Sequence, residues 1–366
     1  MQVSYVDLAA QYLDHRKEIL SAIDKTLTSG NYILGDEVLL FEKNFANLCQ
    51  VKHAIAVANG TESLVLAMRA LGIGPGDEVI TAPNSWISSA SSIVLAGATP
   101  IFIDVNKDQN LNPELLERAL SKKTKAIMPV HLTGKMANMD PIMDFARKNS
   151  LFVIEDAAQA VGAKYHEKMS GSMGHVGSFS LHPLKNLNGA GDGGVLTTND
   201  DSLAEELRLL RNHGIVSREN IVKWGFNSRL DSLQAAIINV RMQYLDAVTK
   251  LRRQNAQIYH SKLSGLVDCP MEDANCFDVY HLYVIQTSRR DQLKNYLKTK
   301  GIDTAIHYPV PIHQHRAAAN LNYGENSFPV CEAQSKMILS LPIHQNLTQE
   351  QVIFVADTIA DFMENK

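Results

Sequence analysis

The chain has 366 residues, 45% of them apolar and 20% charged, with 21 glycines and 12 prolines. That composition excludes disordered, collagen-like and low-complexity chains, and the length is more than one compact core usually holds, so two domains are expected. Lys plus Arg total 35 against 39 Asp plus Glu, a net charge of -4, and no basic run offers a track for a phosphate backbone. Nucleic acid is therefore not an expected partner.

The N-terminal stretch carries Asp7, Asp14 and Glu18 without an uninterrupted apolar run, so no signal peptide is expected and the reading is cytoplasmic. Short apolar runs predict strands at His53–Ala58, Glu78–Thr81, Ile101–Asp104, Ala126–Val130 and Leu151–Glu155. Helical periods fall between them, as at Glu62–Leu71 and Pro113–Leu120. This alternation predicts an α/β fold of three layers, with a mostly parallel central sheet covered on both faces. Val79–Ile103 has no charged residue and the length of a membrane span, but Pro83, Asn84, Gly97 and Pro100 divide it into strand, helix and strand. No membrane partner is expected.

After Asn227, Leu233, Ile237, Val240, Tyr244 and Val248 keep helical spacing and predict one long helix linking two domains. The boundary is set near residue 250, with a large domain over 1–250 and a smaller α+β domain over 251–366. In the latter, Ser288 and Asp291 mark a helix start and Gly301 its stop, while Thr348 and Gln351 form a capping box ahead of Val352, Val355, Ile359 and Phe362. The cysteines Cys49, Cys269, Cys276 and Cys331 make no CxxC pair, so neither a metal site nor a disulfide framework is expected.

In a parallel sheet, ligands sit at the carboxyl ends of the strands. Three features lie there. Asn59-Gly60-Thr61-Glu62-Ser63 opens a helix, where backbone N–H groups and a hydroxyl suit a phosphate; taken alone it reads first as an ordinary N-cap. Asp156 directly follows Leu151–Glu155, where a carboxylate can hold a cationic ring nitrogen or simply cap a helix. Lys185 lies in Ser178-Phe179-Ser180-Leu181-His182-Pro183-Leu184-Lys185-Asn186, ahead of Gly189-Ala190-Gly191-Asp192-Gly193-Gly194. A lysine held there can lose its proton and form a Schiff base. The glycine run lacks both the Walker ending and GxGxxG spacing. Phosphate site, ring carboxylate and lysine, in that order, are what a pyridoxal-phosphate enzyme needs.

With these residues in place, the sequence resembles the DegT/DnrJ family of nucleotide-sugar aminotransferases, which share the aspartate-aminotransferase-like fold. The resemblance runs through Asp7-Leu8-Ala9-Ala10-Gln11-Tyr12, Gly76-Asp77-Glu78-Val79-Ile80, Glu155-Asp156-Ala157-Ala158-Gln159-Ala160, Gly225-Phe226-Asn227-Ser228-Arg229-Leu230-Asp231, Gln234-Ala235-Ala236, His307-Tyr308-Pro309 and Leu339-Ser340-Leu341-Pro342. It implies pyridoxal 5'-phosphate as cofactor, with pyridoxamine 5'-phosphate as its aminated form, and Lys185 as the Schiff-base lysine and proton shuttle. It further implies Asp156 at the pyridinium nitrogen, Gln159 near the phenolic oxygen, and Gly60, Thr61 and Ser180 on the phosphate. Trp86 falls where the family stacks an aromatic on the ring, although Asn84-Ser85-Trp86 departs from the usual context and core packing is the competing reading.

The resemblance places Asn227 on the phosphate of a neighbouring subunit, making an obligatory homodimer with shared sites. His307, Tyr308 and His313 are candidates to meet sugar or nucleotide, or buried structural residues; Arg229 is a candidate for a substrate phosphate, or a partner for an acidic neighbour. Thr133-Gly134-Lys135-Met136 departs from relatives, so no sugar contact carries over there. The implied substrates are a nucleotide-linked keto-sugar and an amino-acid donor, L-glutamate. Lys185-Asn186-Leu187 with Gly191-Asp192-Gly193-Gly194 follows the pattern of relatives that aminate carbon 3 of a 3-keto-6-deoxyhexose. Amination at carbon 4, a sugar dehydratase (which has histidine for the lysine), and a non-enzymatic regulator are the alternatives.

Overall fold

The computed structural model describes residues 1–364. Its central sheet has seven strands: β1 (His53–Val57), β2 (Glu78–Thr81), β3 (Thr99–Phe102), β4 (Thr124–Ile127), β5 (Phe152–Asp156), β6 (Val176–Ser180) and β7 (Gly194–Thr198). Their order across the sheet is β1-β7-β6-β5-β4-β2-β3. Only β7 runs against its neighbours β1 and β6; the remaining pairings are parallel. Alternate residues of each strand enter two apolar clusters on opposite faces. Ala54, Ile80, Val153 and Phe179 join one, and Ile55, Val79, Ile154 and Leu196 the other. A sheet buried on both sides is what near-continuous apolar strands require.

A third cluster holds the C-terminal part. Ala256, Tyr259 and Leu263 pack there on strands β8 (Tyr283–Gln286) and β9 (Ile338–Leu341), with Val352, Val355 and Ile359 from the last helix. Val3 joins them, its backbone bonded to Gly301 and Asp303.

Local expectations differ from the structure in several places: β3 (Thr99–Phe102) begins and ends two residues before the expected Ile101–Asp104, and β4 (Thr124–Ile127) begins two and ends three residues before the expected Ala126–Val130. The long linking helix is two helices, Ser232–Met242 and Leu245–Leu263, because the Gln243 and Tyr244 N–H groups bond three residues back, to Val240 and Arg241. Pro113–Leu120 is a 3₁₀ turn followed by a single α-turn. The helix Arg290–Thr299 begins without a cap from Ser288; the Thr287 hydroxyl accepts the Arg289 N–H instead, at 3.2 Å. The Thr348–Gln351 capping box is present, with reciprocal bonds of 3.0 and 3.2 Å. Among the described residues no helix is long and apolar enough to cross a membrane.

Candidate active site

Strands β1, β5 and β6 run in one direction, so their carboxyl ends share one edge of the sheet. After β1, the Asn59 side chain accepts the Glu62 N–H at 2.9 Å and starts the helix Gly60–Ala70. The N–H groups of Gly60 and Thr61 then lack intrahelical acceptors and face outward for an anion. Ser180, the last residue of β6, lies against this turn: a Cβ on Gly60 would stand 2.8 Å from the Ser180 Cβ. Gly194 is needed for a related reason, since a Cβ there would lie 2.4 Å from the Asn59 carbonyl oxygen. The glycine run thus gives room for the Asn59–Gly60 turn. Gly60→Ala should displace Ser180 and weaken cofactor affinity by about tenfold, the scale of one charge-assisted hydrogen bond. A cofactor titration giving wild-type affinity would contradict this placement.

At the end of β5, Asp156 is buried. One carboxylate oxygen accepts the Ser89 hydroxyl at 2.6 Å and the other the Ala158 N–H at 3.2 Å. Lys185 stands in the turn after β6, held through its backbone. The Lys185 N–H donates to the His182 carbonyl at 2.8 Å, and the Asn188 amide donates to the Pro183 and Lys185 carbonyls at 2.8 and 2.7 Å. From the helix Ser232–Met242, Arg241 clamps the carbonyls of Asn188 and Gly189, each at 3.0 Å. Burial pushes the Lys185 ammonium down to about 8, against the pull of the Asp156 carboxylate. A lysine in this range supplies a neutral, nucleophilic amine near physiological pH.

Two histidines lie within electrostatic reach of that lysine. Burial lowers His307 to about 4, with Lys185 adding to the effect, and drives His281 well below its usual value for the same two reasons first. His307 pairs through Nδ1 with the Ser340 hydroxyl at 2.9 Å, and His281 through Nδ1 with the Asn186 amide oxygen at 3.3 Å. Gln159 accepts the Thr133 N–H at 2.7 Å and donates to the Tyr308 hydroxyl at 3.3 Å. Burial, then the Asp156 charge, raises the Tyr308 pKa, so this hydroxyl keeps its proton. The Tyr308 ring stands 5.7 Å from Trp86. Trp86 itself is 59% exposed, which argues against the core-packing reading and leaves a ring face free.

The structure therefore brings Gly60, Thr61 and Ser180 to one turn, and Asp156, Lys185, Gln159, Tyr308, His307 and Trp86 around the neighbouring strand ends. Asn227 and Arg229 make no hydrogen bond to any of these. Asn227 is exposed and bridged to Asn212, and the Arg229 guanidinium donates to the Asn212 side chain at 3.0 Å, an amide rather than an acidic neighbour. His313 is buried, paired to Glu332 at 3.2 Å. Three residues escaped sequence reasoning: Ser89 on the Asp156 carboxylate, Thr133 on Gln159, and His281 beside Lys185. Ser89 sits among Ser85, Ser88, Ser91 and Ser92, and only its position on the helix Ser88–Leu95 singles it out.

Pyridoxal 5'-phosphate fits this set. The Gly60 turn is a cradle that a Cβ would fill, and a deprotonatable lysine faces a buried carboxylate. The DegT/DnrJ/EryC1/StrS aminotransferase family matches residues 13–360. A "Pleiotropic regulatory protein" of Geobacillus stearothermophilus is 42% identical over 99% of both chains. The "dTDP-3-amino-3,4,6-trideoxy-alpha-D-glucose transaminase" of Streptomyces venezuelae is 41% identical, covering 99% of this chain and 97% of its own. The crystal structure of S. venezuelae DesV in complex with a ketimine intermediate superposes with a TM-score of 0.98 at 41% identity, over 100% of this chain and 99% of that one. Other structures of this fold hold the cofactor in its pyridoxal and pyridoxamine forms. The chain belongs to the DegT/DnrJ/EryC1/StrS aminotransferase family, and it is a pyridoxal-phosphate-dependent aminotransferase.

Proposed function

We propose that this protein transaminates a nucleotide-linked keto-sugar at carbon 3, with L-glutamate as amino donor. The observation that carries this reading is the neutral-capable Lys185 amine set among Asp156, Gln159 and Tyr308. The name of the S. venezuelae relative, a 3-amino-sugar transaminase, supports both substrate class and position. The Lys185-Asn186-Leu187 and Gly191-Asp192-Gly193-Gly194 pattern supports carbon 3 over carbon 4. A lysine at 185 disfavours the sugar-dehydratase alternative.

Bound, the cofactor supplies an electron sink for the carbanion formed when an amino group is transferred. In this reading the chain does the rest. Gly60, Thr61 and Ser180 hold the phosphate, and Trp86 covers one ring face. Asp156, fixed by Ser89 and the Ala158 N–H, keeps the ring nitrogen protonated. Lys185 holds and moves the proton at its Nζ. Its approach is set by a turn whose carbonyls are tied to Asn188 and Arg241. His307 and Tyr308 face the sugar.

Residues 1–250 act as the cofactor-binding domain and 251–366 as the domain that completes the site. The working unit is a homodimer in which Asn227 serves the partner's phosphate site. The exposed Val216 and Ile221 and the 98% exposed Trp224 support this, since such apolar surface beside Asn227 calls for a cover. Four free cysteines fit a reducing cytoplasm.

The test is the visible spectrum of the purified holoenzyme before and after L-glutamate. Loss of the band on adding glutamate, and its return with a nucleotide-linked 3-keto-sugar, is the expected result, with NMR placing nitrogen on carbon 3. A spectrum indifferent to glutamate overturns the donor, and nitrogen at carbon 4 overturns the regiochemistry.

A further inference from the structure

The turn that carries Lys185 is tied mostly to its own half of the chain. Besides the bonds from Arg241, the Asn188 amide donates to Gln11 at 3.3 Å and the Ala190 N–H donates to Gln234 at 2.8 Å. Among the described residues, Asn186 makes the only hydrogen bonds from the turn 181–190 to the chain beyond residue 250. Its NH₂ donates to the Val279 carbonyl at 3.0 Å, which assigns its oxygen to His281 Nδ1 at 3.3 Å. An amide oxygen only accepts, so Nδ1 carries the hydrogen. Burial, then the Lys185 cation, keeps that imidazole neutral.

The segment that Asn186 meets is itself fixed. The Val279 and Leu282 N–H groups bond to the Gly134 and Thr133 carbonyls, and Arg252 donates to the Tyr280 and His281 carbonyls at 3.1 and 3.3 Å. The crossing is close: Gly134 has a φ of +98°, and a Cβ on it would stand 2.8 Å from the His281 nitrogen. On the far side of the crossing, the Thr133 N–H holds Gln159, whose NH₂ reaches the Tyr308 hydroxyl. The residue after Lys185 is thus joined, through one short segment, to Gln159 and Tyr308.

We propose that Asn186 and His281 form a positioning pair that registers Lys185 against the Gln159–Tyr308 side of the site. The pair rests on Lys185 being the reacting amine. Asn188 and Arg241 hold the turn to the large domain and leave its distance from the 279–282 segment open; Asn186 sets that distance. A reacting group misplaced by about 1 Å can cost about 10²-fold in rate. Without Asn186 the turn can draw away and admit water to the amine, whose burial is what brings it down to about 8. The charges around it do not oppose that change. Asp156 pulls the ammonium up, His281 and His307 are neutral, Tyr308 keeps its proton, and Arg252 is bonded to backbone.

The test reads Lys185 in the holoenzyme loaded with pyridoxamine 5'-phosphate, where the lysine amine is free. Its acetylation is followed against pH by mass spectrometry of the Lys185 peptide. Asn186→Ala should raise the midpoint by about one pH unit over wild type. Turnover should show kcat lower by about tenfold or more with KM little changed. His281→Leu should match it in both. His281→Asn, whose amide N–H replaces the Nδ1–H, should recover most of the loss. Joining Asn186→Ala to His281→Leu should cost no more than either alone, as for two residues acting as one unit. A wild-type midpoint in the folded single variants, additive losses in the double variant, or no recovery by His281→Asn would overturn the pair. The midpoint is read without substrate, so it stands or falls apart from the choice of sugar and donor.

Discussion

Lys185→Ala should lower turnover by at least about 10³-fold, within the range that a single positioned acid–base group supplies. Among the described residues its side chain is the one amine that burial brings down to about 8 beside the Asp156 carboxylate, so nothing described nearby substitutes for it. His281 and His307 are neutral and committed to Asn186 and Ser340. Cofactor should still bind, because the turn is held by backbone bonds to Asn188 and Arg241 that truncation leaves untouched. Lys185→Arg should be as inactive as the alanine variant, since a guanidinium keeps its charge at every working pH. Initial rates with glutamate and keto-sugar, beside cofactor content measured after denaturation, check both. Wild-type-like turnover in either variant would remove Lys185 from the chemistry. Lost cofactor together with lost activity would instead make its role one of retention.

Part of this site was legible because Gly60, Asp156 and Lys185 each lie at the end of a strand or in the turn after it. Glu78–Thr81 is read to the residue, and the strand ahead of Asp156 to within one, since apolar runs bounded by polar and turn residues leave little freedom of register. Gly60, Asp156 and Lys185 then fall at one sheet edge by topology alone. What the sequence withheld depends on segments that meet only in the fold. His281 reaches Asn186 because the chain at 279–282 crosses the Thr133–Gly134 turn, where the Val279 and Leu282 N–H groups bond to the Gly134 and Thr133 carbonyls at 3.0 and 3.1 Å. No local pattern encodes that crossing. The break at Gln243 was hidden for the opposite reason. Helical spacing from Leu233 to Val248 continues through it, and the Tyr244 ring stacks on His15 at 3.7 Å, a tertiary contact from the other end of the chain.

Glu155→Ala should cost about 3–5 kcal/mol of stability, the range for removing one partner from a buried charged network. Glu155 is wholly buried on β5, and four donors converge on it. The Gly171 N–H and His131 Nε2 bond one oxygen, each at 2.9 Å, while the Met173 and Gly174 N–H groups bond the other at 2.8 and 2.6 Å. The Ala137 N–H donates to His131 Nδ1, so Nε2 carries the hydrogen that reaches Glu155. Burial alone would raise this carboxyl. The bonds from His131, Gly174 and Gly171 outweigh it and hold the pKa below the ordinary 4.5. A carboxyl lowered on folding adds stability that is fully present above its unfolded value and is lost as pH falls through its folded one. The stability gap between wild type and Glu155→Ala, measured by denaturant titration, should therefore be largest near neutrality and shrink below about 4.5. Glu155→Gln should also destabilise, because its NH₂ would meet N–H donors where the carboxylate accepts. A constant gap across pH, or one under about 1 kcal/mol, would mean that the four donors find other acceptors. Because Asp156 follows Glu155 on β5, the same network fixes the strand end that presents the Asp156 carboxylate, and the alanine variant should lose cofactor affinity before it unfolds.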